Sequence, residues 1–218
     1  MKYVIRFSKK DKMVYISHLD LQRLMLRVLR IAGVQPAYSN GFNPHPKVSI
    51  ALPLSLGFLS GSEFLEIETH APIDTGQVMS AMNNVLHDGI KISSIEEKDP
   101  AFAGTLASRA AFALYEIVTD NGPGMSDSMP AFLGNKAIFV EKYNRKTGET
   151  VKRDIRPQIA SFEIVTVFNG RIRLNCLLDC RSGSTLNPLT LLSAYCDFCG
   201  AEFTPEHTSV IRKAINFR

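Results

Sequence analysis

Between Val34 and Lys47 the chain reads VQPAYSNGFNPHPK, a short stretch dense in reactive and recognition groups. Tyr38 and Phe42 offer ring faces, Asn40 and Asn43 carry amides that can read polar edges, and His45 and Lys47 are basic. Rings that stack on bases, beside groups that hold phosphate, are what recognition of single-stranded RNA requires. The plainer reading is a rigid Pro-rich turn whose rings plug the core. A long loop of this makeup between packed elements more often carries function than fills space. Immediately upstream, Asp20, Arg23, Arg27 and Arg30 recur at helical spacing. Arg23 and Arg30 would stand about 10 Å apart along a helix axis, and planar guanidiniums grip successive phosphates bidentately. Alternatively Asp20 pairs with Arg23 and the stripe is a solvent face.

A second basic region runs from Lys136 to Arg156. Its seven bases (Lys136, Lys142, Arg145, Lys146, Lys152, Arg153 and Arg156) face three acids (Glu141, Glu149 and Asp154), an excess equal to the +4 of the whole chain. Such a patch attracts an anionic partner or is simply a solvated hairpin. Asp154 and Arg156, two residues apart on a strand, point the same way, so Arg156 either holds a phosphate or pairs with Asp154.

Catalytic readings are weaker. Ser17-His18-Leu19-Asp20 is a helix capping pattern rather than a triad, which is defined by spatial geometry. His45 with Tyr38 and Lys47 could support metal-free RNA cleavage, His45 as acid or base and Lys47 on the phosphorane charge. Cys196-Asp197-Phe198-Cys199 has the spacing of half a zinc site, and Cys176 and Cys180 could complete it. Cys176 and Cys180 lie in an apolar strand, however, where a free thiol behaves as a small hydrophobe. No CxxxCxxC, P-loop, GxGxxG or HExxH occurs. The residues therefore favour a binding role over a catalytic one, with no metal and no cofactor in this chain.

Apolar residues are 45% of the 218, enough for a proper core. No signal-like apolar segment follows Met1-Lys2-Tyr3 and no apolar run approaches a membrane span, so the expected setting is the cytoplasm, away from membranes, with reduced cysteines.

The elements that must position these groups follow from periodicity. Residues 2–8 alternate as a strand. Ser17 caps a mostly buried helix that runs to Ala32 and stops at Gly33, with Leu19, Leu24, Val28 and Ile31 off its polar stripe. Residues 34–47 hold three prolines, a glycine and two asparagines, which exclude regular structure. Val48–Leu54 alternate as a strand. A half-exposed strand carries Leu65 and Ile67 inward, Glu66 and Glu68 outward. Asp74 caps a helix that Gly89 ends, and 90–98 is a strand. The order β-α-β-β-α-β is that of a ferredoxin-like unit with an antiparallel sheet. Residues 96–105 read as a linker. Beyond it, strands are expected at 110–119, 136–143, 150–167, 171–179 and 207–212, with helices near 126–133 and from Asn187 to Tyr195. The expectation is an α+β protein of two tandem ferredoxin-like halves, 1–98 and 106–218, the second with an extended basic hairpin.

Tyr15-Ile16-Ser17-His18-Leu19-Asp20, Ala37 through Lys47, Leu52-Pro53-Leu54, Asp154-Ile155-Arg156-Pro157 and Gly183-Ser184 resemble the radical-SAM-linked protein family, a bacterial domain of unknown function. The resemblance covers most of the chain, which departs from it at Asn187-Pro188. That family occurs fused to, or encoded beside, cobalamin-binding radical-SAM proteins, so the resemblance implies a radical-SAM protein as partner but no substrate. The tandem layout also looks like that of CRISPR-repeat-processing endoribonucleases, by analogy of fold alone. The expectation is an accessory RNA-binding protein that acts with a separate radical-SAM enzyme in RNA modification. Arg23, Arg27 and Arg30 would hold phosphates, Tyr38 and Phe42 would stack on bases, and Asn40, Asn43, His45 and Lys47 would orient them. Arg153 and Arg156 of the basic hairpin would extend the footprint. The alternatives are a metal-independent endoribonuclease that uses His45, and a protein-interaction scaffold for the radical-SAM partner.

Overall fold

The computed structural model describes residues 1–144 and 148–218. Arg145 and Lys146 of the expected basic hairpin lie outside the described residues, as does the side chain of Lys142. The protein is α+β and divides into two compact units, Met1–Ala110 with Phe217–Arg218, and Ala111–Asn216.

In the first unit, strand β1 (Lys2–Lys9) buries Tyr3, Ile5 and Phe7 on one face, as strict alternation demands. Ser17 then caps helix α1 (His18–Ile31). Its hydroxyl oxygen accepts from the Asp20 amide at 3.1 Å and its O–H donates to the Asp20 carboxylate at 2.7 Å. At the other end, the amides of Ala32, Gly33 and Val34 donate back to Val28, Arg30 and Leu29, and Gly33 turns the chain at φ +80°. Strand β2 (Val48–Ile50) is shorter than expected. Pro53 has no N–H with which to continue the ladder, whose last bond here runs from the Ala51 amide to the Phe64 carbonyl. Strand β3 (Leu59–Glu68), helix α2 (Thr75–Val85, capped by Asp74) and strand β4 (Ile90–Glu97) complete the unit. Helix α2 stops at Val85. Gly89 instead forms the turn into β4, where a Cβ would come within 2.5 Å of the Lys10 carbonyl oxygen. The strand order is β4-β1-β3, with β2 on β3, and every pairing among them is antiparallel. Leu21, Met25, Val28 and Leu29 of α1 share one core with Val78 and Met82 of α2 and the inward residues of the sheet.

Two further expectations are corrected in this unit. Glu66 is buried rather than solvent-facing, and residues 96–105 are a latch rather than a free linker. The Lys98 ammonium donates to one Glu66 oxygen at 2.8 Å and to the Gly104 carbonyl. The Leu106 amide donates to the other Glu66 oxygen at 2.8 Å. The Phe102 ring lies against both Lys98 and Arg109. A buried carboxylate persists only with such partners. Helix α3 (Leu106–Arg109) follows, capped by Thr105.

The second unit opens on strand β5 (Ala110–Asp120), which is followed by helix α4 (Met129–Gly134) and the hairpin of β6 (Phe139–Asn144) and β7 (Glu149–Asp154). The single strand expected over 150–167 is broken. A short 3-10 turn at Arg156–Gln158, containing Pro157, separates β7 from β8 (Ile159–Phe168). Strand β9 (Arg171–Asp179) leads to helix α5 (Pro188–Cys199), capped by Asn187 and ended by Gly200 at φ +69°. Strand β10 (Ser209–Phe217) begins and ends later than expected. Within this unit the order is β10-β5-β9-β8, and β6–β7 is a separate two-stranded sheet. Ile172, Leu174, Cys176 and Leu178 of β9 are buried, as are Leu191, Leu192 and Tyr195 of α5. No helix among the described residues is long and apolar enough to cross a membrane.

Candidate nucleic-acid interface

The loop from Ala37 to Lys47 is a tight hairpin, not an irregular turn. Tyr38 pairs with Pro46, the Lys47 amide donates to the Ala37 carbonyl at 2.7 Å, and the Ser39 amide donates to the His45 carbonyl at 2.8 Å. The His45 amide in turn donates to the Ser39 hydroxyl at 3.0 Å. Prolines lack a donor but keep their carbonyl, so they occupy the ladder positions where only an acceptor is needed. The hairpin base is sewn to β3: the Ala37 amide donates to the Glu68 carbonyl at 2.7 Å, and the Glu68 amide to the Lys47 carbonyl at 3.1 Å. At the tip, Asn40, Phe42 and Asn43 project into solvent, and Phe42 is fully exposed.

Helix α1 meets this hairpin through Arg30. Arg23, Arg27 and Arg30 are all exposed. The Arg23 guanidinium donates to Asp20 at 3.0 Å on the surface, and with the Ser17 hydroxyl it holds the Asp20 carboxyl below its usual range, the hydroxyl contributing most. Arg30 reaches across to the hairpin and donates to the Tyr38 hydroxyl oxygen at 2.7 Å. Helix and hairpin are thus joined at Tyr38, which is 43% exposed. Gln22 adds a second tie, donating to the Val48 carbonyl at 2.8 Å. His45 is exposed, with its backbone committed to Ser39. Lys47 is engaged: its ammonium donates to Glu68 at 2.8 Å, and that hydrogen bond depresses the Glu68 carboxyl. In an endoribonuclease Lys47 would have to leave this pair before meeting a phosphorane.

The polar stripe of α1 is broader and more apolar than expected. Leu19 and Ile31, assigned above to the buried side, are exposed at 61% and 54%. The signal was present, because Leu19, Arg23, Arg27 and Ile31 follow one another at four-residue intervals and so share a face. Tyr15, just before the helix, is exposed at 75%. The surface therefore alternates cations with rings and aliphatic groups, which suits bases and phosphates together.

Residues 2–188 match DUF2344, a family described as an uncharacterized protein conserved in bacteria. The chain is a DUF2344 protein. It matches none of the curated proteins. Among solved structures it resembles a chain of a Cbf5–Nop10–Gar1 complex, with a TM-score of 0.55 and 8% identity over 98% of this chain. It also resembles a chain of the archaeal box H/ACA sRNP Nop10–Cbf5 complex, at 0.50 and 10%, again over 98%. At these identities the likeness is one of fold. The DUF2344 chain spans about half the length of these matches, 48% of each.

Two expected site residues of the DUF2344 chain, Arg153 and Arg156, belong to the second unit. Arg156 neither pairs its side chain with Asp154 nor points free. Its guanidinium donates to the carbonyls of Leu133 and Ile159 at 3.2 and 3.4 Å. Asp154 instead accepts the amides of Ile138 and Arg156 at 2.9 and 3.0 Å. The Asp-Ile-Arg-Pro motif is thus a staple for the turn between β7 and β8. Gly183-Ser184 has a similar place: the Ser184 hydroxyl and the Arg181 fork satisfy the buried Asp179 carboxylate, and Gln158 donates to Ser184. Burial works to raise the Asp179 pKa, but the Arg181 and Ser184 hydrogen bonds outweigh it and the net shift is downward. The four cysteines are free. Burial pushes Cys176 up to about 12 and Cys180 and Cys196 to about 11, so these thiols stay protonated. Among the described residues no group of three or more His, Cys, Asp or Glu is arranged to hold a metal ion.

Proposed function

We propose that this protein binds RNA on the surface formed by α1 and the Ala37–Lys47 hairpin, as an accessory subunit to a separate radical-SAM enzyme in RNA modification. The observation that carries the RNA reading is the 2.7 Å bond from Arg30 to the Tyr38 hydroxyl. It fixes a row of exposed guanidiniums beside an exposed hairpin bearing Phe42. In this reading Arg23, Arg27 and Arg30 contact successive phosphates, Phe42 and Tyr38 stack on bases, and Asn40, Asn43 and His45 read or orient them. Lys47 keeps the hairpin base in place through Glu68, and within the second unit Arg153 is read as a separate phosphate contact. One of the two fold neighbours belongs to an archaeal box H/ACA sRNP, which favours RNA as the anion. The radical-SAM partner, and with it a cytoplasmic setting, rests on the motif resemblance. We read the strand orders β4-β1-β3-β2 and β10-β5-β9-β8 as two ferredoxin-like halves in tandem, 1–98 and 106–218.

Filter binding of single-stranded and structured RNAs at stepped salt concentrations tests this function. Binding tighter than micromolar is expected, weakening steeply with salt, because each phosphate neutralised on a single strand adds about 0.7 to the slope of log affinity against log salt. Loss of three phosphate contacts should lower that slope by about 2. Absence of salt-sensitive binding would refute the RNA role.

A further inference from the structure

The aromatic residues of the first unit divide sharply by exposure. Tyr3, Phe7 and Phe58 are buried, and Phe64, Phe102 and Phe217 are half-buried. The three that are exposed, Tyr15, Tyr38 and Phe42, flank one element. Tyr15 stands three residues before the start of α1, and the other two follow its end. Tyr15 also has apolar company. The Gly57 amide donates to the Val14 carbonyl at 3.0 Å, which sets the chain at Leu56 beside that at Tyr15. Leu56 and, in the first turn of α1, Leu19 are each 61% exposed. Single apolar residues on a surface need no explanation, but large ones gathered together mark a binding site.

This gathering continues the arginine row. Ser17, two residues past Tyr15, donates to Asp20 at 2.7 Å, and Asp20 accepts from Arg23 at 3.0 Å. These bonds draw the Arg23 guanidinium back toward the N-terminal end of α1. Arg30 is drawn the other way, to the Tyr38 hydroxyl. Arg30 lies eleven residues after Leu19, about 16 Å along the helix axis. At ~3.4 Å per nucleotide, a stacked strand covers that distance with about five nucleotides.

We propose that Tyr15, with Leu19 and Leu56 beside it, is a second base-stacking station. The ligand is then a single-stranded RNA segment of about five nucleotides held at both ends. One terminal base lies on Tyr15, the other on Phe42 and Tyr38, and the phosphates between them follow Arg23, Arg27 and Arg30. This rests on the RNA reading of α1 and the hairpin, and adds to it a length and a direction. A strand whose two ends differ chemically lies one way along the helix. A duplex does not serve, because its paired bases are not free to splay onto rings.

Fluorescence anisotropy of the full chain with labelled six-nucleotide, uridine-rich RNA tests it. Y15A should weaken binding by roughly five- to hundredfold, the loss of one stacked base. Y15F keeps the ring and should bind as wild type does, whereas Y15L should not. Tyr15 is 75% exposed, so none of these variants disturbs the core. Two further strands carry a single 4-thiouridine, one at the 5′ end and one at the 3′ end. One should crosslink to Tyr15 and the other to Phe42 or Tyr38. Wild-type affinity in Y15A, with F42A still weakened, overturns this inference and leaves the RNA reading standing. No RNA binding by the wild-type chain defeats both. Tyr15 adducts from neither strand, or from both equally, also overturn it. So does a wild-type chain that dimerises in sedimentation and is monomeric as Y15A, since the patch would then hold a second copy.

Discussion

Three arginines of the first unit and three of the second have opposite fates. In the first, Arg23, Arg27 and Arg30 stand on the solvent face of α1, touching only Asp20 and the Tyr38 hydroxyl. In the second, Arg156 is spent on the carbonyls of Leu133 and Ile159, Arg171 on those of Val118 and His207, and Arg181 on the Asp179 carboxylate. The difference lies in the nearby backbone. Helix α1 closes its own end, because the amides of Ala32, Gly33 and Val34 return to carbonyls of its last turn. Helix α4 is short and leaves its terminal carbonyls without helical partners, so the Leu133 carbonyl draws in Arg156. A guanidinium is available to an outside anion where secondary structure has already satisfied the acceptors around it. Sequence charge alone does not distinguish the two cases.

The strongest way to break this comparison is the triple reversal R23E/R27E/R30E. It should weaken RNA binding by roughly a hundredfold or more, at about 1–1.5 kcal/mol or above for each charged contact, and leave the thermal midpoint nearly unchanged. Filter binding and a melting curve read both quantities. Next comes F42A, which removes a fully exposed ring. Loss of base stacking should cost about 1–3 kcal/mol of RNA affinity with no loss of stability.

R156A sharpens the contrast from the other side. Removing the staple should lower stability by about 2 kcal/mol and the melting midpoint by about 4–8 °C. The remaining folded protein should bind RNA almost as wild type does. The smallest effect concerns Lys47 and Glu68. Glu68 has a depressed pKa in the folded chain, so its contribution is present above the ordinary carboxylate range and is lost as pH falls through the folded value. The midpoint difference between wild type and K47A should therefore shrink between neutral pH and about pH 3, measured by calorimetry.

Local signals in the sequence translated directly into structure. Ser17 with Asp20 at the head of α1, Gly33 behind it, and the alternation of Tyr3, Ile5 and Phe7 involve neighbours only. What escaped depends on distant partners. Glu66 reads as a solvent-facing strand residue until Lys98, far along the chain, covers it. The Pro-rich loop reads as irregular because prolines cannot donate, yet their carbonyls suffice for a hairpin anchored on β3. Arg156 reads as a phosphate ligand or a partner of Asp154 because nothing local marks the Leu133 carbonyl as needing a donor. At the candidate site, Arg30 and Tyr38 were legible as residue types, but their hydrogen bond required the fold. Leu19 and Ile31 were misplaced through hydrophobicity alone, although helical spacing set them beside the arginines.

The account is tested most directly by photo-crosslinking a 4-thiouridine-substituted single-stranded RNA to the full chain and mapping the adducts by mass spectrometry. It predicts adducts on Tyr38 and Phe42 and in the peptides carrying Arg23, Arg27 and Arg30. Adducts confined to residues 111–216, with none on α1 or the hairpin, would contradict it.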